Sequence, residues 1–179
     1  MLAGPLLTRC GAANKHDSTN ETKKDTESSM KPLNYKIDIK APAEKVYSTM
    51  IDKEHFKDWV SEFVPNSYFE GGWNKGDTLI YYSPDEKGNM CGMISTIQEN
   101  IPNELIIIQP KGIVENGKKI FEGEKVQGLD EAVEKYSFKQ KGALTELNIE
   151  INAYEELEQY FNETWPNALN RIKSISERK

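Results

Sequence analysis

Apolar Tyr35, Ile37 and Ile39 alternate with polar Lys36, Asp38 and Lys40, the period of a half-buried strand. The spacing then changes. Ala41-Pro42-Ala43-Glu44 puts a proline at a first helical position with an acid in the first turn, and Val46, Tyr47 and Met50 follow at helical intervals. His55, Phe56, Trp59 and Phe63 predict a second short helix that stops before Pro65. Strand-like pieces come next, separated by turn signals: Tyr68-Phe69 before Gly71-Gly72, Leu79 to Tyr82 after Gly76-Asp77, and Met90 to Gln98 after the polar loop Pro84 to Asn89. In the last of these, Met93, Ser95 and Ile97 share one face, and Gly92, Ile94 and Thr96 share the other. Pro102-Asn103 turns the chain into the apolar run Glu104 to Gln109. Residues 111–130 are polar and glycine-rich and carry no clear period. Tyr136 and Phe138 lead through Lys141-Gly142 into Leu144, Leu147, Ile149 and Ile151, which reads as a closing hairpin.

From Glu155 to Arg178 the pattern is helical. Leu157, Phe161, Trp165, Leu169, Ile172 and Ile175 step by three or four residues and mark one face. Pro166 lies inside this segment, where a missing N–H predicts a kink or a division near Trp165. A meander with helices at its two ends is α+β. The terminal stripe must pack on the sheet, since nothing else in the chain can cover it.

The length of 179 residues, with 37% apolar and 29% charged, suits one core and not two. Residues 1–30 are read as a disordered polar tail or leader and residues 31–179 as the folded domain. The tract Asn14 to Ser29 lacks the apolar surface that would offset ordering entropy. Tail charges cancel, so the folded part carries the whole net charge of −6. That balance argues against nucleic acid as a partner, which wants a basic footprint. No apolar run is long enough for a membrane-spanning helix. Two readings of the opening MLAGPLLTRC stay open. One is a truncated bacterial lipoprotein signal with Cys10 as the lipidated residue; the other is a leader, with translation beginning at Met30 in a cytoplasmic protein.

Chemical motifs are scarce. Gly112 to Lys118 fits the spacing of a phosphate-cradling loop, but Lys119 stands where a metal-holding hydroxyl belongs, and Asn116-Gly117 is a hairpin-turn dipeptide. Cys91 and His55 have no third group to make a catalytic set, and two cysteines and two histidines leave little for a metal site. No catalytic residue, metal ligand or cofactor is read from the residues.

The order of elements carries a resemblance. Ile37-Asp38-Ile39-Lys40-Ala41-Pro42-Ala43-Glu44-Lys45-Val46-Tyr47, Asp52 with Trp59, Gly71-Gly72-Trp73, Lys75-Gly76-Asp77, Gly92 to Glu99 with Leu105, and Trp165, Leu169 and Ile172-Lys173 fall in sequence along residues 33–178. Together they resemble the helix-grip fold of the START/Bet v 1-like superfamily (the SRPBCC and polyketide-cyclase group), most of all the homologues of the activator of the heat-shock 90 chaperone ATPase. The resemblance implies a curved antiparallel sheet gripping a long C-terminal helix around a cavity. It does not imply one function, because this fold hosts carriers, receptors, cyclases and co-chaperones.

The first expectation is therefore a small hydrophobic or amphipathic ligand between sheet and terminal helix. Trp59, Phe63, Tyr81, Ile94, Ile106, Tyr136, Phe138, Trp165 and Leu169 are the candidate lining residues. Tyr81, Tyr136 and Tyr154 stand out, because a buried phenol needs a hydrogen-bond partner and could offer it to a ligand. The second expectation is a protein-interaction or chaperone-associated domain, marked by a filled cavity and a contiguous exposed apolar patch. The third is a cyclase- or hydrolase-type enzyme, marked by an inward Glu, Asp or His facing a tyrosine. The assembly expected is a monomer or weak homodimer.

Overall fold

The computed structural model describes residues 30–85 and 87–178; the tract 14–29 and Cys10, on which the tail and leader expectations fall, lie outside them. Alternation produces the first strand, β1 (Met30–Ile39), whose inward Leu33, Tyr35, Ile37 and Ile39 face the core. Helix α1 (Ala43–Ile51) follows, with Pro42 at its N-cap rather than inside its first turn. Asp52 then ends α1 and starts α2 (Lys53–Val60): its carboxylate accepts the amide N–H groups of Glu54 at 3.0 Å and His55 at 3.1 Å. One residue thus stops one helix and caps the next, which bends the chain between them.

The meander runs through β2 (Tyr68–Gly71), β3 (Thr78–Pro84), β4 (Met90–Ile101), β5 (Leu105–Glu115), β6 (Lys118–Ile120), β7 (Glu134–Lys141) and β8 (Leu144–Tyr154). All strands pair antiparallel in one sheet of order β1-β8-β7-β5-β4-β3-β2, with β6 attached to β5. The β4–β5 register slips between Ile94 and Ser95 and again between Ile97 and Glu99. Such bulges bend a strand and deepen its twist, and the first accommodates Pro110, which has no N–H to pair.

The stretch without a period resolves into pieces. β5 continues to Glu115, and Asn116 (φ 51) and Gly117 (φ 72) form a tight turn into β6, with Glu115 opposite Lys118. Two successive positive φ values suit the mirror-image turn that hairpins favour, so the phosphate-loop spacing here is a hairpin. Two 3-10 turns, Glu124–Val126 and Leu129–Glu131, then bridge to β7. Side chains of the sheet hold this bridge by its carbonyls: Gln109 Nε2 to Asp130, Tyr154 Oη to Gln127 and Asn152 Nδ2 to Glu131, at 3.0, 3.1 and 3.2 Å. Leu129 and Ala132 point from it into the core.

Helix α3 (Glu158–Ser176) follows a 3-10 turn at Glu155–Leu157 and is continuous through Pro166, contrary to the expected division. Pro166 and the carbonyl-bearing Asn162 four residues earlier are both on the exposed side, where water can take the lost acceptor. The opposite stripe, Phe161, Trp165, Ala168, Leu169, Ile172 and Ile175, is buried against β1, α1 and α2. Charged pairs decorate the other face of the sheet, including Lys36 and Lys141 on Glu146 and Lys135 on Glu150. Among the described residues, no helix is long and apolar enough to cross a membrane.

Candidate functional site

Trp165, on the inner stripe of α3, is the hub of the interior. Its ring lies 5.0 Å from Phe63, 6.0 Å from Tyr35, 6.2 Å from Tyr136 and 6.3 Å from Trp59. Phe56 extends the network from α2 to the sheet, 5.0 Å from Trp59 and stacked on Tyr81 at 5.6 Å with planes only 2° apart. These centroid distances are those of rings in contact, so each ring is also part of the hydrophobic core.

The structure therefore brings Trp59, Phe63, Tyr81, Tyr136 and Trp165 into one group. Ile106, Phe138 and Leu169 belong to the same buried core, and Phe138 meets Tyr47 edge-on at 5.5 Å. Ile94 does not join them. It packs with Ile80 and Val114 on the opposite face of the sheet, because the side chains of β4 alternate and Met93 and Ser95 take the inner positions. Tyr154 sits at the end of β8, where it holds the 3-10 bridge. His55 is exposed and Cys91 is buried on the inner face of β4, so the two are not assembled.

Sequence reasoning missed Glu134 and Ser83 in this interior, and put Ser95 on the face of Met93 without giving it a role. Glu134 is 2% exposed and accepts the Tyr136 hydroxyl. Strict alternation along Glu134-Lys135-Tyr136-Ser137-Phe138 was the available signal, since it puts Glu134 on the face of the two rings. Ser83 follows Tyr81 on the inner face of β3, and Ser95 follows Met93 on β4. The Oγ atoms of Ser83 and Ser95 and the indole Nε1 atoms of Trp59, Trp73 and Trp165 are buried without a hydrogen-bond partner in the protein.

Electrostatics ties the two halves of the sheet together. Burial pushes the Tyr81 hydroxyl well above its ordinary value and the Glu134 charge adds to the effect, while the Tyr136 hydroxyl beside it works the other way. Burial does the same at Tyr136, again with Glu134 adding. Yet β5 and β4 lie between β7 and β3, a separation of about 14 Å in a flat sheet. Glu134 acts on Tyr81 because the bulged sheet curves round the interior and brings the Tyr81 hydroxyl to that of Tyr136.

On the outer side, a broad depression of about 840 Å³ is lined by Asn34, Lys36, Asn103, Ser137, Lys139, Glu146 and neighbours, and of the expected lining residues it includes Phe138. Its polar groups are paired with one another or open to water. Among the described residues no cluster of His, Cys, Asp and Glu could hold a metal ion.

A meander bent round a long terminal helix, with two short helices after the first strand, defines a helix-grip domain of the START/Bet v 1-like superfamily. The family model "Activator of Hsp90 ATPase homolog 1-like protein" matches residues 40–177. The chain belongs to that family. No curated protein matches it significantly. Solved structures share its fold at low identity. A protein of Chromobacterium violaceum is 13% identical with a TM-score of 0.62, over 83% of this chain and 99% of that one. A protein of Nitrosomonas europaea is 15% identical with a TM-score of 0.61, over 80% and 92%. The Aha1 dimer of Colwellia psychrerythraea, solved in solution, is 18% identical with a TM-score of 0.60, over 83% and 97%.

Proposed function

We propose that the domain binds a small amphipathic molecule in the interior between the sheet and α3. The observation that carries this reading is the set of buried polar atoms without partners on the inner side: Ser83 and Ser95 on the β3–β4 wall, and the indoles of Trp59 and Trp165 opposite. Folded interiors pair nearly all their buried polar groups, and each orphan costs about 1–3 kcal/mol. A molecule with an apolar body and polar atoms at this wall would recover that cost. The aromatic rings would supply the apolar contacts.

Native mass spectrometry of the full chain, with solvent extraction of anything released, tests the reading, together with titration by the neutral probe Nile red. The expected result is a stoichiometric adduct or saturable one-to-one probe binding. A clean apo mass with no saturable probe binding would overturn it.

Docking on another protein is the second reading, supported by the family's description and by the acidic balance, which suits a basic partner patch. Among the described residues the exposed large apolar side chains are Met90, Ile101 and Phe121. Met90 and Ile101 stand at opposite ends of β4, about 35 Å apart at the strand rise, and form no common patch. The enzyme reading is supported by Glu134, which accepts the Tyr136 hydroxyl.

A further inference from the structure

The outer face of the sheet is treated differently in its two halves. On β1, β8 and β7 its charges are paired, Lys36 and Lys141 with Glu146 and Lys135 with Glu150. From β2 to β6 the same face is apolar. Ile80, Ile94 and Val114 form its floor, a cluster separate from the core. Tyr82 packs on that floor and stacks on Tyr68 at 5.1 Å.

Two glycines shape this half. Gly92 pairs with Tyr82 on one side and Val114 on the other, and a Cβ there would stand 3.2 Å from the Tyr82 ring and 3.2 Å from Val114 Cβ. Gly112 pairs with Ile94, and a Cβ there would stand 2.8 Å from the Phe121 ring. Rings from β3 and from just beyond β6 thus lie over the bare backbone of β4 and β5. Their far sides reach solvent: Phe121 is 55% exposed, and Tyr68 and Tyr82 are half-buried. Met90, 36% exposed, stands two residues before Gly92 and extends the patch along the same face of β4. At the usual strand spacing and rise the patch is about 19 Å across from β2 to β6 and about 13 Å along β4 from Met90 to Ile94. A contiguous apolar surface rimmed by polar residues marks an interaction site.

The charges at its two ends name the occupant. Glu70, opposite Ile80 on β2, bounds one end, and Lys119, opposite Val114 on β6, bounds the other. Both are exposed, and neither makes an ion pair among the described residues. A surface with an acid at one end and a base at the other complements itself when turned about a twofold axis. An axis parallel to the strands lays the β2 end of one copy on the β6 end of the other, acid to base. An axis across the strands would lay β2 on β2 and put like charges together.

We propose that this face is the contact between two copies of the chain, packed sheet on sheet about a twofold axis parallel to the strands, with Glu70 of each copy meeting Lys119 of the other. The patch is small against the area of a stable interface, so the dimer is weak, with a dissociation constant of roughly 10–100 µM. The contact lies on the far side of the sheet from the interior and does not depend on the ligand-binding reading.

Sedimentation equilibrium of the full chain from about 5 to 500 µM, a range that brackets the expected constant, tests this. The expected result is a reversible monomer–dimer equilibrium. Phe121→Ser raises the dissociation constant by about tenfold or more, because each substitution acts twice in a symmetric contact. Glu70→Lys and Lys119→Glu each weaken the dimer about fivefold, and the two together restore it. A monomer at every concentration overturns the proposal and leaves the patch to a different protein. A dimer unmoved by Phe121→Ser puts the contact on another face and overturns it as well. Loss in both single charge exchanges without recovery in the double overturns the twofold orientation. The charge exchanges alone decide the matter if circular dichroism shows Phe121→Ser to be unfolded.

Discussion

Thr49, Thr145 and Ser176 are as deeply buried as Tyr81, Ser83 and Ser95, yet the two groups are treated differently. Where α1, α3 and β8 meet, the Ser176 hydroxyl donates to Thr49 Oγ1 at 3.0 Å, Thr49 donates to the Lys45 carbonyl at 2.9 Å, and Thr145 donates to the Ala41 carbonyl at 2.6 Å. On the β3–β4 wall the Ser83 and Ser95 hydroxyls find nothing in the protein, and the Tyr81 hydroxyl has only that of Tyr136 beside it. One chain satisfies its buried hydroxyls at one end of its interior and leaves them open at the other. The satisfied end joins helices to the sheet and is structural. The open end faces the aromatic network and is where a ligand reading gains its support.

The comparison can be broken most forcefully at the aromatic hub of the interior. Trp165→Ala removes ring contacts to Tyr35, Trp59, Phe63 and Tyr136 and is expected to cost about 3–5 kcal/mol in urea unfolding. At the satisfied end, Thr145→Val strips the donor from the Ala41 carbonyl and is expected to cost about 1–2 kcal/mol. Between pH 10 and the folded-state values, the open end is expected to limit stability. The phenols of Tyr81 and Tyr136 are held well above 10.0 by burial, and burial pushes Tyr160 up to about 12. Below pH 10 they are protonated whether the chain is folded or not. Above it the unfolded chain releases protons that the folded chain keeps, so stability falls as pH rises. Alkaline unfolding followed by circular dichroism should be shallower in Tyr81→Phe. The smallest effect is expected at Ser95→Ala, which removes an orphaned hydroxyl and should leave stability unchanged or slightly raised. A loss at Ser95 equal to that at Thr145 would erase the distinction.

Much of the fold was legible because periods and punctuation agreed. The alternation of β1, the stripe of α3 and the Asn116-Gly117 turn each named their own structure. Residues 111–130 were not legible. Their strand continues past Gly112, and their 3-10 turns are held by Gln109, Tyr154 and Asn152, partners that are distant in sequence. Of the kink or division expected at Pro166, the division does not occur, because exposure of the freed carbonyl is a tertiary fact. The aromatic cluster could be read from strand and helix position, with Ile94 on the other face of the sheet. Ser83 and Glu134 carried no signal as residues in themselves, since a serine or glutamate on a strand is ordinarily solvated. Only their phase relative to Tyr81 and Tyr136 places them inside.

The account turns on whether the β3–β4 wall serves a ligand or the fold. The variant Tyr81→Phe, Ser83→Ala, Ser95→Ala separates these when its unfolding free energy and its Nile red affinity are measured together. Unchanged or increased stability with severalfold weaker probe binding is the predicted result. A loss of stability on the scale of Thr145→Val, with probe binding intact, would contradict it.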